Sequence, residues 1–500
     1  MEKSIIIIGA GIAGLCTGCY ARMNGYKTQI FEMHTIPGGL CTSWKRKGYK
    51  IDGCIHWLTG SSPGNSFYRL WEEVGAVQGC NMVDPESFIR IEGEQGKAFN
   101  VYSDIDRLEQ HMKDLAPEDK DVIEEFIKPA ITGTHYLNVP IEKAPELFSP
   151  IEGLKMMISM FPYLRLMRKW GKISIHDFAQ RFKNPFLREV FPLILNFPDT
   201  PMSSIIFTLS LLHKKAAGYP LGGSLEFARG IERRYLDLGG EVYYKSPVVK
   251  ILVKNDKAVG VRLADGSEYR SDIIISAADG RTTVFDMLEG KYVNEEIKGY
   301  YDTLPIYTPV IYLALGVARS FDEPHSAAGI NFLLDEPVTI AGREWKRLQV
   351  HIFNFDPTLA PEGKTLLTLM IESNYDYWKN FYENPETYKA EKERIADVVI
   401  AALDRRYPGL ADQVEMCDVA TPITFERYTG NWQGTYEGWL NTTKTYNIRM
   451  SRSLPGLSNF YMAGQWIQPG GGLPTGVMTG RHVIQIICKN DKKPFVTSTP

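Results

Sequence analysis

The chain has 500 residues, 44% of them hydrophobic and 23% charged, with 56 basic against 59 acidic side chains and a formal net charge of −3. The composition is that of a globular protein, the length suggests two or three domains, and the charge balance offers no basic field for nucleic acid. Seven scattered cysteines, an odd number, argue against a disulfide framework and for a reducing compartment.

The first signal is at the start. Four consecutive isoleucines, 5–8, precede Gly9-Ala10-Gly11-Ile12-Ala13-Gly14, a helical run to Asn24-Gly25, and Thr28-Gln29-Ile30-Phe31 ending on Glu32. The β-branched run suits a strand buried on both faces of a parallel sheet. Gly9 permits the tight turn, Gly11 lets the backbone approach a diphosphate, and Gly14 lets the helix pack on the strand. With Ala13 in its first turn, the helix offers unpaired N–H groups and a favourable dipole to that diphosphate. Glu32 stands near the position where a carboxylate accepts from a ribose 2′-hydroxyl, which favours FAD or NAD over NADP. Cys16 and Cys19 form a CxxC on this helix and read as buried small residues, since nothing around them is thioredoxin-like.

Next comes a second glycine pair, Gly38-Gly39, followed by Leu40-Cys41 and the basic stretch Lys45-Arg46-Lys47. That pair points to FAD. Further matching segments are Tyr49 to Trp57, with Asp52-Gly53 and His56-Trp57, then Tyr219 to Ser224, Ala277-Ala278-Asp279, and a C-terminal block from Asn459 to Gln465 and Gly470 to Pro474. Together these resemble the flavoprotein family of phytoene desaturases, carotenoid isomerases and retinol saturases, related more distantly to amine oxidases. The resemblance implies an α/β fold: a Rossmann-like FAD-binding domain, a parallel sheet with an antiparallel excursion, interleaved with a mixed α+β substrate domain. The FAD-binding parts are expected at 1–85, 215–285 and 415–500, and the substrate parts at 86–214 and 286–414.

Between the glycine pair and the middle of the chain, 86–214 is helical, Pro-punctuated and apolar. Its stretch 147–172 carries Leu154, Met156, Met157, Ile158, Met160, Phe161, Leu164, Leu166, Met167 and Trp170 beside Lys155, Arg165, Arg168, Lys169 and Lys172. Such a segment suits a lipid headgroup layer, a hydrophobic tunnel wall or packing on the protein's own core. Pro150 and Pro162 argue against one unbroken helix. Residues 222–236 read as a helix, followed by strands in hairpin order at 241–244, 248–254, 258–263 and 268–270, leading to 273–276. Val248, opening the second of these, is assigned to the cofactor. Later expectations are an apolar run at 310–315, a β-like stretch at 348–353 and a long helix at 385–406.

The C-terminal block returns to the flavin. Gly464 lets the backbone approach the cofactor, and Gly470-Gly471-Gly472 does so again before a helix opening near Leu473-Pro474. A helix N-terminus aimed at the flavin pyrimidine would stabilise negative charge on the reduced ring. The resemblance also places His56, Trp57 and the stretch 427–439, including Tyr436, near the flavin. His56 is the candidate acid or base near neutral pH, or a hydrogen-bonded structural residue. The aromatics would sandwich a flat apolar chain or belong to the core.

No Ser-His-Asp set, no zinc-ligand spacing and no second GxGxxG is present. Electrons are therefore expected to pass between substrate and flavin, then to oxygen or a quinone. The expected function is an FAD-dependent oxidoreductase acting on a carbon–carbon bond of an apolar, isoprenoid substrate by desaturation, saturation or flavin-dependent isomerisation. A flavin amine oxidase and a non-catalytic prenyl-binding escort of the GDP-dissociation-inhibitor type are the alternatives. No signal peptide is expected from the opening residues, and no stretch of 18 apolar residues occurs. The expected location is the cytoplasm, with attachment to the inner face of a membrane left open.

Overall fold

The computed structural model describes residues 2–500. Its first sheet is wholly parallel, with strands in the spatial order Phe460–Met462, Ile273–Ser276, Ser4–Ile8, Lys27–Phe31, Glu241–Tyr243. The chain runs outward from Ser4–Ile8 on one side and then resumes on the other. The strand order thus reverses beside Ser4–Ile8, whose carboxyl end is the crevice in which open α/β sheets bind ligands.

The isoleucine run divides by period two. Ile5 and Ile7 join Leu15, Cys16, Cys19, Val483 and Ile487 on the helical face, while Ile6 and Ile8 join Val248, Ile251, Val261 and Val284 on the other. That second face is covered by a three-stranded antiparallel sheet, Val248–Lys254, Lys257–Leu263 and Glu268–Arg270. The hairpin order expected from 241 onward therefore holds only for these three. Glu241–Tyr243 pairs in parallel with Lys27–Phe31, and Ile273–Ser276 with Ser4–Ile8.

The two ends of the chain meet in a helix pair, Ile12–Met23 and Gly472–Asn490. Small residues set its spacing: a Cβ on Gly480 would lie 2.7 Å from Thr17 Oγ1, and one on Gly476 would lie 3.3 Å from the Ala13 amide. Cys16 and Cys19 are free thiols, fully buried in the first of these helices.

A seven-stranded mixed sheet forms the second layer: Val414–Ala420, Val310–Val317, Thr365–Glu372, Arg343–Ile352, Ile330–Ile340, Ser87–Glu92, Ala98–Tyr102. One face carries Ile311, Leu313, Leu348, Val350, Leu367 and Leu369 against Ile395, Val399 and Leu403 of the helix Pro385–Arg406. Alternation then obliges Tyr312, Thr368, Met370, Gln349, His351 and Asn331 onto the opposite face, which is a cavity floor. A helical layer, including Ile105–Leu115, Lys120–Gly133 and Met202–His213, builds its own core around Phe126, Phe178 and Phe191.

The stretch 147–172 splits into Pro150–Ser159 and Phe161–Trp170, each with proline in its first turn. Trp170 and Leu166 pack on the protein's own core, but the rest of the apolar face is largely uncovered. Ile151, Ile158 and Phe161 are 68%, 67% and 60% exposed, and Leu154, Met157 and Leu164 are exposed with them. Among the described residues no helix is long and apolar enough to cross a membrane.

Candidate active site

The carboxyl end of Ser4–Ile8 opens into one continuous cavity of about 1350 Å³. That exceeds the roughly 300–1,000 Å³ of a typical small-ligand pocket, so a dinucleotide and a second molecule fit together. At one end the wall is Gly9, Gly11, Ala13, Glu32, Gly38, Gly39, Leu40 and Val248; Gly464, Gly472 and Leu473 from the other terminus complete it. His56, Trp57 and Tyr436 line the same cavity.

Gly14 does not line it. A Cβ there would sit 1.9 Å from the Gly9 carbonyl oxygen, so this glycine serves helix-on-strand packing. Gly11 differs: the nearest atom to a Cβ at that position is the Gly38 oxygen at 3.9 Å, which leaves its cavity side open. Gly9, Gly38 and Gly464 have φ of 95°, 106° and 106°, a region other residues rarely enter.

Glu32 is 6% exposed, and its carboxylate accepts the amides of Ala10 and His34, each at 2.7 Å. It therefore pins the glycine turn to the end of the second strand and keeps lone pairs for a ligand in the cavity. Asp52 is a structural hub. It accepts from Ser224 N at 2.8 Å, Tyr219 Oη at 2.7 Å and Ser43 Oγ at 3.1 Å, with burial pushing its carboxyl up. Asp279 also lines the cavity, accepts the amides of Thr282 and Trp432, and is pushed up to about 6 by burial.

His56 faces the ring of His351 edge-on, centroids 4.8 Å apart, and Trp57 packs on Phe88 at 4.9 Å. Burial pushes the His56 imidazole down to about 4. This favours the neutral ring at neutral pH, which can donate or accept a hydrogen bond. Tyr436 packs on Tyr307 at 5.4 Å, and burial pushes its hydroxyl well up. Of the aromatic stretch, Trp439 is fully buried between Tyr301 and Trp466 and belongs to the core.

Sequence reasoning did not single out Glu437. Its carboxyl lines the cavity, where a Cβ on Gly472, first residue of the closing helix, would lie 3.3 Å from Oε1. Burial pushes it up to about 7, opposed only by the Tyr307 hydroxyl. An acid inside a Trp- and Tyr-rich stretch was the available signal.

Two glycine loops from the N-terminus, a glycine-opened helix N-terminus from the C-terminus, and a buried acid at the end of the second strand form a cradle that fits FAD. Open glycine faces admit a diphosphate, and helix N-termini favour negative charge. Among the described residues no cluster of side chains could hold a metal ion.

The sequence pattern of the family described as "flavin containing amine oxidoreductase" matches residues 12–488. Prolycopene isomerase of Daucus carota is 26% identical, over 99% of this chain and 82% of that protein. Phytoene desaturase (neurosporene-forming) of Rhodobacter capsulatus is 24% identical, over 96% and 93%. All-trans-retinol 13,14-reductase of Danio rerio is also 24% identical, over 97% and 86%. Among solved structures, an oxidoreductase from Methanosarcina mazei superposes with a TM-score of 0.59 at 18% identity, covering 97% of this chain and 100% of that one. Putrescine oxidase bound to putrescine gives 0.59 at 13%, covering 98% and 99%. These two likenesses speak to the fold alone. The family pattern spans nearly the whole chain and agrees with the two-ended cradle: the chain belongs to the flavin-containing amine oxidoreductase family and is an FAD-dependent oxidoreductase.

Proposed function

We propose that this chain acts on a carbon–carbon bond of an apolar isoprenoid molecule, by desaturation, saturation or flavin-dependent isomerisation, with oxygen or a quinone as acceptor where net oxidation occurs. The observation that carries this reading is the part of the cavity beyond the glycine cradle. Trp57, Phe88, Leu193, Phe197, Phe207 and Met370 line it, a wall that rewards burial of a long apolar chain. Relatives named as a prolycopene isomerase, a phytoene desaturase and a retinol reductase support it.

FAD, held by Gly9, Gly11, Ala13, Glu32, Gly38, Gly39, Leu40, Val248, Gly464, Gly472 and Leu473, supplies two-electron redox chemistry. The chain supplies the rest. Trp57 and the other aromatics orient the substrate and exclude water, while Gly14 holds the cradle's geometry through helix packing. His56, neutral, can offer a hydrogen bond to the substrate without introducing charge. Tyr436 and Glu437 are the proton-bearing groups beside the closing helix.

The paired helices 150–170 would bring the protein to its insoluble substrate. Exposed Ile151, Ile158 and Phe161 lie among exposed Lys155, Arg165, Arg168 and Lys169, the composition of a surface that binds anionic lipid. Phe161–Trp170 packs on Met202–His213, whose Ser204, Phe207 and Thr208 line the cavity.

The test is product analysis. Oxidised and chemically reduced holoenzyme are each incubated with a panel of polyenes and retinoids, and products are resolved by chromatography and mass. Gain or loss of a hydrogen pair, or isomerisation by the reduced enzyme, is expected for at least one member. No conversion in either redox state would overturn the reading.

A further inference from the structure

We propose that the inner end of the substrate cavity receives an uncharged oxygen function, an alcohol or aldehyde on the isoprenoid chain, at His351 with His56 beside it. This rests on the isoprenoid reading above and narrows it from hydrocarbons to oxygenated terpenoids.

The strand Arg343–Ile352 runs along the cavity wall, from Arg343 at the mouth to His351 inside. The Arg343 side chain is 63% exposed, whereas His351 is 5% exposed. Among the described residues neither ring nitrogen of His351 finds a hydrogen-bond partner. The Ser326 backbone lies close enough to favour its charged form slightly, but makes no bond of normal geometry. An orphaned buried imidazole is costly, and each such group in a native fold calls for an explanation.

The surroundings say what would answer it. Thr368 stands opposite His351 in the adjacent strand, and the His56 ring lies 4.8 Å away. Phe353 packs at 4.3 Å and Phe355 lies at 6.3 Å, with His325 a further neighbour. Burial and the neighbouring histidines push His351 well down, and burial holds His56 at about 4, so both rings are neutral. A neutral imidazole has one donor and one acceptor, which suits a hydroxyl that can use both or a carbonyl that uses the donor. An anion is not provided for here. The nearest cation on the strand, Arg347, already donates to Asn331 Oδ1 at 2.6 Å and to the Glu92 carbonyl, and faces Glu189 at 3.7 Å. A pure hydrocarbon would seal His351 in unpaired.

The experiment compares geranylgeraniol with the hydrocarbon of the same carbon skeleton lacking the hydroxyl. Binding to FAD-loaded enzyme is followed by tryptophan fluorescence and flavin absorbance. The alcohol is expected to bind about tenfold tighter or more, because a site built around a polar group rejects the analogue without it. His351→Phe should erase the preference and His351→Gln should retain part of it, both at wild-type flavin content. Equal affinities in the wild type, or a preference that survives in folded His351→Phe, would overturn the proposal while leaving the isoprenoid reading intact. If neither compound binds, the isoprenoid reading falls and this inference with it. If His351→Phe fails to fold, the wild-type comparison and His351→Gln decide.

Discussion

The Ala10 amide donates to Glu32 Oε2 at 2.7 Å, tying the first glycine turn to the end of the second strand. The other carboxylate oxygen accepts the His34 amide at the same distance. One buried acid thus sets the geometry of the cradle before any ligand arrives. Glu32→Ala orphans both donors, each at ~1–3 kcal/mol, and should weaken FAD retention tenfold to a hundredfold on the order given by that cost. Equilibrium dialysis against FAD measures it, and unchanged affinity would show the carboxylate to be dispensable.

Two glycines of one motif should fail differently. Gly14→Ala drives a methyl into the Gly9 carbonyl at 1.9 Å and should abolish soluble, folded protein. Gly11 has φ −67° and ψ 176°, open to any residue. Gly11→Ala should fold, shown by an unchanged far-UV spectrum, yet hold FAD on the order of tenfold more weakly as the methyl occupies diphosphate space.

His482 supplies a pH dependence of stability. Arg452 Nη2 lies 3.0 Å from its Nδ1, and its Nε2 lies 2.7 Å from the Ile141 carbonyl. An arginine can only donate, so Nδ1 accepts and Nε2 carries the proton. Burial, reinforced by Arg452, pushes the imidazole from 6.5 down to about 3. The unfolded chain takes up a proton below pH 6.5 that the fold refuses until about 3, so stability falls as pH falls across that window. His482→Gln should be less stable by ~1–2 kcal/mol above neutrality. Its deficit should shrink on acidification, as read by urea denaturation at several pH values. A deficit independent of pH would contradict the neutral assignment.

The exposed helices 150–170 make a separable prediction. Replacing Ile158 and Phe161 by glutamine removes two large apolar groups that are 67% and 60% exposed. Thermal stability should hardly change, whereas sedimentation with phosphatidylglycerol-containing vesicles should drop by about tenfold or more. Equal binding of the variant and the wild type would show that the patch does not meet lipid.

What was legible in the sequence was local. The isoleucine strand, its glycine turn and the acid lie within 32 residues and carry their own periodicity, and the helix Pro385–Arg406 announced both ends, with Asn384 capping the amides of Glu386 and Thr387. What stayed hidden depends on partners far along the chain. Glu241–Tyr243 has three residues, too few to show whether it pairs with its hairpin neighbour or with Lys27–Phe31. His351 sat in a stretch already read as β-like, but only the sheet determines that this residue faces the cavity while Val350 faces the helix-side core. Glu437 lies in an irregular segment whose position is fixed by Gly471 and Gly472 packing against it, a contact no spacing rule conveys.

The central claim is that this family member works on carbon–carbon bonds of isoprenoids and not on amines. Anaerobic mixing of the oxidised holoenzyme with polyamines and monoamines, beside isoprenoid polyenes and retinoids, tests it most directly by flavin absorbance and product identity. The account predicts that amines leave the flavin oxidised while at least one isoprenoid is desaturated, or is saturated or isomerised once the flavin is reduced. Bleaching of the flavin by amines alone would contradict it.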